Sequence, residues 1–426
     1  MAEKTYKKMY EYLDSLCAKI EDEKLREMFR KCYLNTLETT VRYDKEGNVF
    51  IITGDIEAMW LRDSSVQVSH YVRLAGQDED AKELIVSLLR RQFALICLDP
   101  YANAFNEEAN GRGHVNDETM KLDIVWERKY EIDSLVYPLW LLNRYYQYTA
   151  DATIFDELFF RSYKTILDTL ITEQDYKNSE YYFRRSEDDG IDTLDNNGKG
   201  PDYAYTGMVR SAFRPSDDRC IYPFLVPANM FIVATLKELA VNLDKAGVND
   251  ICRDTAEKLC SQISDGIEKF AVTETEEFGK IYAYEVDGLG NKLFMDDANV
   301  PSLMSLPYLG YCDKDDELYL NTRNFVLSKS NPFYFEGEAA CGVGSPHTPK
   351  DYRTRVHNPH PCNIQYRSRY RRCFPDWHTH RNHDGRRTHG RVTARVHGVV
   401  HLVQHNKEFL LCLHHHISGI FLWIHR

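Results

Sequence analysis

The sequence lacks several features that would each indicate a class of protein. No apolar run reaches the roughly 18–20 residues that a membrane span needs, so we expect no membrane partner. The first eight residues, Met-Ala-Glu-Lys-Thr-Tyr-Lys-Lys, have no apolar signal core, which predicts that the chain is not exported. The 11 cysteines form no CxxC pair, which favours reduced thiols and a cytoplasmic location. HExxH motifs, EF-hand loops and nucleotide-binding glycine patterns are also missing, so we expect neither a metal nor a cofactor.

Acidic residues are scarce in the last part of the chain. Residues 351–426 contain 13 Lys and Arg against four Asp and Glu, a net charge of +9, whereas the residues before them carry −21. Thirteen of the 16 histidines also fall after residue 350. Because such a break in composition marks a boundary, we divide the chain into a domain of residues 1–350 and a tail of residues 351–426.

Before residue 350, strand-like alternation is sparse and helical periodicity dominates. Apolar residues recur at helical spacing from Met9 to Ile20 and then in residues 64–74, 80–98, 134–148, 154–171, 226–243, 251–270 and 301–309. Alternation of the strand type occurs in residues 49–53, 181–185 and 281–286. This pattern predicts an all-α domain in which helical hairpins form a ring or a stack, with a few short β-hairpins.

Four loops that lead into predicted helices combine carboxylates with arginine, amides or aromatic rings. They are residues 54–64, 126–134, 213–218 and 296–302. Sugar sites use such groups, since rings stack on the apolar faces of sugars and charged or amide groups bind the hydroxyls. Each loop also has a plainer interpretation: a helix cap with a surface ion pair at Arg62 and Asp63, dipole-stabilising acids at Glu131 and Asp133, and an Asp-rich turn at residues 217–218. The residues alone leave both interpretations open.

Taken in order, these runs resemble glycoside hydrolase family 125, the bacterial exo-α-1,6-mannosidases. The similar pieces are residues 54–64 (Gly-Asp-Ile-Glu-Ala-Met-Trp-Leu-Arg-Asp-Ser), 130–135 (Tyr-Glu-Ile-Asp-Ser-Leu), 213–218 (Phe-Arg-Pro-Ser-Asp-Asp) with 226–229 (Val-Pro-Ala-Asn), 296–301 (Asp-Asp-Ala-Asn-Val-Pro) and 344–349 (Gly-Ser-Pro-His-Thr-Pro). The resemblance implies an (α/α)6 barrel, in agreement with the helical pattern. It also implies metal-independent removal of a terminal α-linked mannose from a mannose-containing oligosaccharide, with inversion.

The resemblance further implies roles for individual residues. An inverting glycosidase needs a general acid and a general base, two carboxyl groups about 6.5–9.5 Å apart. The acid is expected in the 214–218 run, where we favour Asp218 and keep Asp217 as the alternative. The expected contacts to the mannose are Trp60, Arg62, Asp63, Glu131, Asp133, Asn299 and His347.

The general base that the resemblance implies is missing from the tail. In this family it is a glutamate in a His-Glu segment near the C-terminus, followed by a barrel-closing Trp-Phe-x-Trp-x-Asn pattern. Neither pattern occurs after residue 350, where the acids are Asp351, Asp376, Asp384 and Glu408. Residues 399–404 can be encoded so that a reading frame one base later gives Trp-Phe-Thr-Trp-Ser-Asn. We interpret the tail as the product of a reading-frame change that replaces the last helices of the barrel.

Other interpretations of the chain follow from the same tail. Its histidines at residues 414–416 could bind a transition metal, and its arginines at 367–372 could bind a polyanion. An unevolved tail has no reason to place such ligands in a usable geometry, so we expect no nucleic-acid partner.

For the domain, we expect a mannosidase of little or no activity. The alternatives are a non-catalytic mannose-binding remnant and another (α/α)-barrel carbohydrate enzyme.

Overall fold

The described helices are of two kinds, which differ in how much of their circumference is apolar. The computed structural model describes residues 4–54, 56–186, 190–336 and 341–347. In α5 (Ile132–Thr149) and α8 (Val226–Ala246) nearly every residue of the first four turns is buried. Helices that are apolar on all sides must be enclosed by others. By contrast, α4 (Glu79–Leu98) and α6 (Glu157–Thr172) bury one face each and expose the other.

The enclosed helices form the inner row of a barrel. Helix α3 (Leu61–Val68) packs against α5, α5 against α8, and α8 against the short α10 (Leu306–Leu309). Outside this row, α4 packs on α6, and α9 (Arg253–Gly266) packs on α8. This is the arrangement of an (α/α)6 barrel, so the predicted fold class is confirmed. The other described helices are α1 (Lys7–Cys17), α2 (Glu23–Thr39), the irregular turn α7 (Asp195–Gly198) and α11 (Glu317–Val326).

Short antiparallel strands decorate the helices. Two ribbons of three strands occur, in the orders β3-β4-β6 and β12-β11-β8, and the other strands pair in twos as β1-β2, β5-β7, β9-β10 and β13-β14. The ribbons lead directly into α3 and α8 and so set where these inner helices begin. The bounds are β1 Val41–Tyr43, β2 Val49–Ile51, β3 Met59–Trp60, β4 Ala104–Phe105, β5 Asp117–Glu118, β6 Val125–Glu127, β7 Arg184–Arg185, β8 Phe224–Leu225, β9 Val272–Thr275, β10 Gly279–Tyr282, β11 Glu285–Val286, β12 Lys292–Leu293, β13 Tyr334–Glu336 and β14 Cys341–Val343.

The predicted helices agree with the structure except at their ends and in two omissions. Several predicted stretches correspond to an α-helix and a separate turn. For example, the stretch predicted at residues 154–171 consists of a 3₁₀ turn at Ala152–Ile154 followed by α6. Helices α2 and α11 were not predicted from periodicity, because their apolar faces are narrow and interrupted by charged residues. The predicted tail, residues 351–426, lies outside the described residues.

Helix α8 qualifies the expectation that no stretch is apolar enough to span a membrane. With 21 residues and a mean hydropathy of 1.2 over its best window, it passes a test of length and composition. Among the helices that the structure describes, α8 alone passes this test, and 72% of that window is buried inside the protein. The inner position of α8 in the barrel accounts for its apolar composition.

Candidate active site

Carboxylates gather where the inner helices begin. Asp63 lies in the first turn of α3, Glu131 is the residue that precedes α5, and Asp133 lies in the first turn of α5. The amide dipoles at a helix N-terminus favour negative charge there. The chain at residues 211–213 joins this end of the barrel, because the backbone N–H groups of Ala212 and Phe213 both donate to the carbonyl oxygen of Tyr130, at 3.1 Å each. The second and third loops identified in the sequence are therefore neighbours.

Arg62 is the centre of this group of acids. Its side chain is 3% exposed, and its Nη1 donates to Glu131 Oε2 at 2.7 Å and to Asp133 Oδ2 at 2.8 Å. Its Nε lies 3.8 Å from Asp63 Oδ1, and its Nη2 lies 4.0 Å from Asp217 Oδ1. One guanidinium thus contacts four carboxylates from three separate segments of the chain.

The surplus of negative charge around Arg62 changes the protonation of the acids. Burial raises the pKa of Glu131 to about 8; Arg62 opposes the rise, and the charges of Asp133 and Asp217 add to it. Burial also raises the pKa of Asp133, again against the effect of Arg62. With a pKa of about 8, Glu131 holds a proton at neutral pH, and carboxyl groups with raised pKa values are characteristic of sites that carry out acid–base chemistry.

Several buried polar atoms near this cluster make no hydrogen bond to the described protein. They include Glu131 Oε1, Asp133 Oδ1, Ser216 Oγ and the indole Nε1 of Trp60. Trp60 itself lies in β3 and packs with Ala58, Ala104 and Trp126 in a small apolar cluster. Since buried polar groups nearly always have partners, these unsatisfied donors and acceptors suit the hydroxyls of a sugar.

The turn at residues 214–218 presents the two adjacent aspartates. The N–H of Arg214 donates to the Asp218 carbonyl at 2.7 Å, and the N–H of Asp217 donates to the Arg214 carbonyl at 2.9 Å. Asp217 has a φ of 74°, in the left-handed region, which costs a non-glycine residue about 1–2 kcal/mol. Glu285 of β11 anchors the turn through Arg214 Nε, at 2.6 Å.

Asp218 faces a different part of the chain from Asp217. Its Oδ1 lies 2.9 Å from Nδ1 of His347, whose side chain is 36% exposed while that of Asp218 is 5% exposed. The His347 segment is held against the 297–299 loop, where Asn299 Nδ2 donates to Asp297 Oδ1 at 2.7 Å and lies 3.2 Å from Ser345 Oγ. Burial raises the pKa of Asp297, and the negative charge of Asp218 adds to the rise.

The structure therefore brings together the residues that the sequence singled out. Arg62, Asp63, Glu131, Asp133 and Asp217 form one cluster, with Trp60 two residues from Arg62 along the chain. Asp218, His347 and Asn299 form a second cluster, and the peptide bond between the two aspartates joins it to the first. Their roles in binding and catalysis stay predictions.

Four charged residues beside the two clusters were not selected from the sequence. They are Lys129, whose Nζ donates to the Asp217 carbonyl at 2.9 Å, Glu127, whose Oε1 lies 4.0 Å from that Nζ, and then Glu285 and Asp297. The first two lie inside the 126–134 run and Asp297 inside the 296–302 run, so proximity to a suspected motif was the available signal. Glu285 lies in a short strand and has no local pattern that could indicate its role. In the parts of the chain that the structure describes, no group of three or more His, Cys, Asp or Glu residues is arranged to hold a metal ion.

Comparisons with known proteins agree with this geometry. Residues 22–356 match the sequence model of a family described as metal-independent α-mannosidase, GH125. A solved structure from Streptococcus pneumoniae, titled as a metal-independent α-mannosidase in a non-productive complex with α-1,6-mannobiose, is 45% identical and has a TM-score of 0.78. The alignment covers 81% of this chain and 82% of that one. The meiotically up-regulated gene 157 protein of Schizosaccharomyces pombe is 38% identical over 364 residues, which cover 80% of this chain and 71% of the yeast protein.

Proposed function

Because the chain belongs to the metal-independent α-mannosidases of glycoside hydrolase family 125, we propose that its site takes the terminal mannose of a short, α-1,6-linked mannose-containing glycan. The observation that carries this proposal is the pair of joined clusters, one centred on Arg62 and the other on Asp218. The first offers charged and unsatisfied polar groups, the indole N–H of Trp60 among them. The second offers a buried carboxyl that a partly exposed histidine contacts. The α-1,6-mannobiose bound to the Streptococcus pneumoniae protein supports the choice of linkage.

We propose Asp218 as the general acid of an inverting cleavage. It would donate a proton to the glycosidic oxygen as the bond to the anomeric carbon breaks, while a base activates water on the opposite face. Asp217 is less suited to this role, because its negative charge helps to stabilise the Arg62 guanidinium 4.0 Å away. His347, 2.9 Å from Asp218, can supply or hold a proton between turnovers.

We propose that this 426-residue chain cleaves slowly because its general base is missing. The family match ends at residue 356, close to the break in composition, and residues 351–426 contain no His-Glu segment. General acid–base assistance is worth about 10²–10⁴-fold in rate, so a chain with the acid alone should lose a factor of that size. The proposed contacts to the mannose precede the break, which favours mannose binding without efficient cleavage as the second candidate function.

The test is the release of mannose from α-1,6-mannobiose by two purified chains. One is the 426-residue chain, and the other carries the translation of the same nucleotides after residue 350 in the frame that gives the Trp-Phe-Thr-Trp-Ser-Asn segment. We expect slow release by the first and release about 10²–10⁴-fold faster by the second. α-1,2- and α-1,3-mannobiose serve as controls for the linkage.

Two results would count against the proposal. Rapid release by the 426-residue chain would refute the loss of the base. Inactivity of the frame-shifted chain on every mannobiose would refute the activity. Calorimetry with mannose tests the second candidate function, mannose binding without efficient cleavage. A chain that cleaves slowly but binds mannose has kept the contacts, whereas a chain that does not bind mannose has lost them.

We also propose a cytoplasmic location. The cysteines in the described residues are all free thiols, several of them buried, as at Cys17, Cys220 and Cys260. Reduced thiols are typical of proteins that stay in a reducing compartment. Fractionation of cells that produce the chain tests this directly, and recovery in the medium or in an oxidising compartment would contradict it.

A further inference from the structure

Lys129 is a buried lysine that has no part in the reaction as proposed above. Its side chain is 2% exposed, and its Nζ donates to Asp192 Oδ1 at 2.5 Å and to the backbone carbonyl of Asp217 at 2.9 Å. Glu127 Oε1 lies 4.0 Å away. Burial lowers the pKa of Lys129, but the negative charges of Glu127, Asp217 and Asp192 outweigh it and raise the pKa overall. The ammonium group is therefore charged.

A network of charged and polar side chains fixes the position of this lysine. Its backbone N–H donates to Asn103 Oδ1 at 3.2 Å, and Asn103 Nδ2 donates to Glu127 Oε2 at 3.0 Å. Arg185 Nη2 donates to the other oxygen of Glu127 at 2.8 Å. The backbone of Lys129 is therefore fixed just after β6, and its side chain extends from there towards the turn at residues 214–218.

The carbonyl that Lys129 holds belongs to the peptide bond between Asp217 and Asp218. Asp217 is in the left-handed conformation, with a φ of 74°, which an L-residue keeps only if its surroundings hold it there. Rotation about the N–Cα bond of Asp217 towards a relaxed φ would move its carbonyl group and, with it, the Cα–Cβ bond of Asp218. The direction of the Asp218 carboxyl group, and its contact with His347, therefore depend on the orientation of that carbonyl.

We propose that Lys129 is a positioning residue that holds the Asp217–Asp218 peptide in the orientation from which Asp218 donates its proton. The inference rests on the proposed role of Asp218 as the general acid. It requires that loss of Lys129 impairs proton donation to the leaving group and leaves the Arg62 contacts to mannose in place.

The leaving group of the substrate distinguishes this role from a purely structural one. A good leaving group such as 2,4-dinitrophenolate departs without a proton, whereas phenolate needs one. Azide can serve as an external nucleophile in the absence of the base: its nitrogen bonds to the anomeric carbon, the bond from that carbon to the aryl oxygen breaks, and the proton of Asp218 goes to that oxygen. Rates on phenyl and 2,4-dinitrophenyl α-mannoside in the presence of azide therefore measure proton donation separately from the rest of catalysis.

We expect Lys129→Met to lower the rate on the phenyl substrate at least about tenfold more than the rate on the dinitrophenyl substrate, as part of the 10²–10⁴-fold that a general acid provides. The affinity for mannose should stay within about threefold of the parent value, because the lost contact lies outside the cluster proposed to bind mannose. Lys129→Arg should recover part of the loss, because it restores a charged donor.

The matched control is Arg128→Met. Arg128 is the preceding residue, is equally buried and pairs with Asp99 Oδ2 at 2.7 Å, but no described contact joins it to the turn at residues 214–218. Its loss should lower both rates by the same factor. If Lys129→Met does not fold, the double variant with Asp192→Asn neutralises the carboxylate that has lost its lysine partner, and the same rates are measured on it.

Equal losses on both substrates for Lys129→Met would overturn the inference. A crystal structure of the variant gives a second readout that needs no activity. We expect Asp217 to lose its positive φ and Asp218 to lose its contact with His347, and retention of both would equally overturn the inference. If the parent chain cleaves neither substrate with azide, the proposed function fails, and the crystal structure alone then decides whether Lys129 orients the turn.

Discussion

Glu131→Gln should make the protein more stable at alkaline pH and leave its stability at acid pH nearly unchanged. The substitution fits the structure, because the amide oxygen can take the place of Oε2, which accepts from Arg62 at 2.7 Å and from Ser134 Oγ at 3.0 Å. The amide nitrogen then takes the place of Oε1, which has no hydrogen-bond partner among the described residues. Asp133 remains as the counter-charge of Arg62 at 2.8 Å.

The size of the effect follows from the raised pKa of Glu131. In the unfolded chain the carboxyl titrates near 4.5, whereas burial raises its pKa in the folded protein to about 8. Below pH 4.5 both states hold the proton, so the carboxyl group makes no difference. Between these values the folded state binds the proton and the unfolded state does not, so stability falls as the pH rises. At about 1.4 kcal/mol for each pH unit, the full loss is about 5 kcal/mol, complete above pH 8.

Urea unfolding of the parent and of Glu131→Gln between pH 4.5 and pH 8.5 measures this difference. We expect the free energies of unfolding to agree at the acid end and to diverge progressively, with the variant more stable at the alkaline end. Glu21→Gln, at an exposed position, is the control for effects of replacing a carboxyl group by an amide. A constant difference across the pH range, or a parent that gains relative stability with rising pH, would refute the assignment of a protonated, buried Glu131.

Substitutions at four further residues test the other parts of the site. Asp218→Asn should lower mannoside cleavage by about 10²–10⁴-fold, and Asp217→Asn should lower it less; equal losses in initial rate would contradict the choice between them. Arg62→Met leaves buried carboxylates without their cation and should cost about 3–5 kcal/mol in urea unfolding, with Arg62→Lys between it and the parent. Trp60→Phe removes an indole N–H that no group of the described residues accepts, so mannose affinity in calorimetry should fall while the unfolding free energy changes little; the reverse pattern would assign Trp60 to the core alone.

The sequence predicted the inner helices well because these helices are apolar on all sides. Residues 134–148 and 226–243 have an uninterrupted apolar pattern, and they became α5 and α8 with small changes at the ends. Helix α2 was missed because its buried residues, such as Phe29 and Tyr33, are separated by charged ones, and only packing against the rest of the barrel shows that they form one face.

The site could be predicted where its residues lie together in the chain. Arg62 and Asp63 stand side by side, as do Asp217 and Asp218, so local composition was enough to indicate them. The role of Glu285 could not be predicted, because it depends on a contact with Arg214 that forms only when β11 pairs with β8. Similarly, the left-handed backbone of Asp217 and its bond to Lys129 are tertiary features that no local pattern encodes.

The distances along the chain between the partners of the site determine the order in which it can assemble. Arg62 finds its acids 69 and 71 residues later, whereas Asp218 meets His347 across 129 residues. The chain emerges from the ribosome N-terminus first, so the Arg62 cluster can form before α9 and α11 have been synthesised. The contact of Asp218 with His347 can form only after nearly the whole barrel has been synthesised. Longer loops also cost more entropy to close. The Asp218–His347 contact is therefore a late event in folding, and a change in the chain just after residue 347 acts on the part of the site that is assembled last.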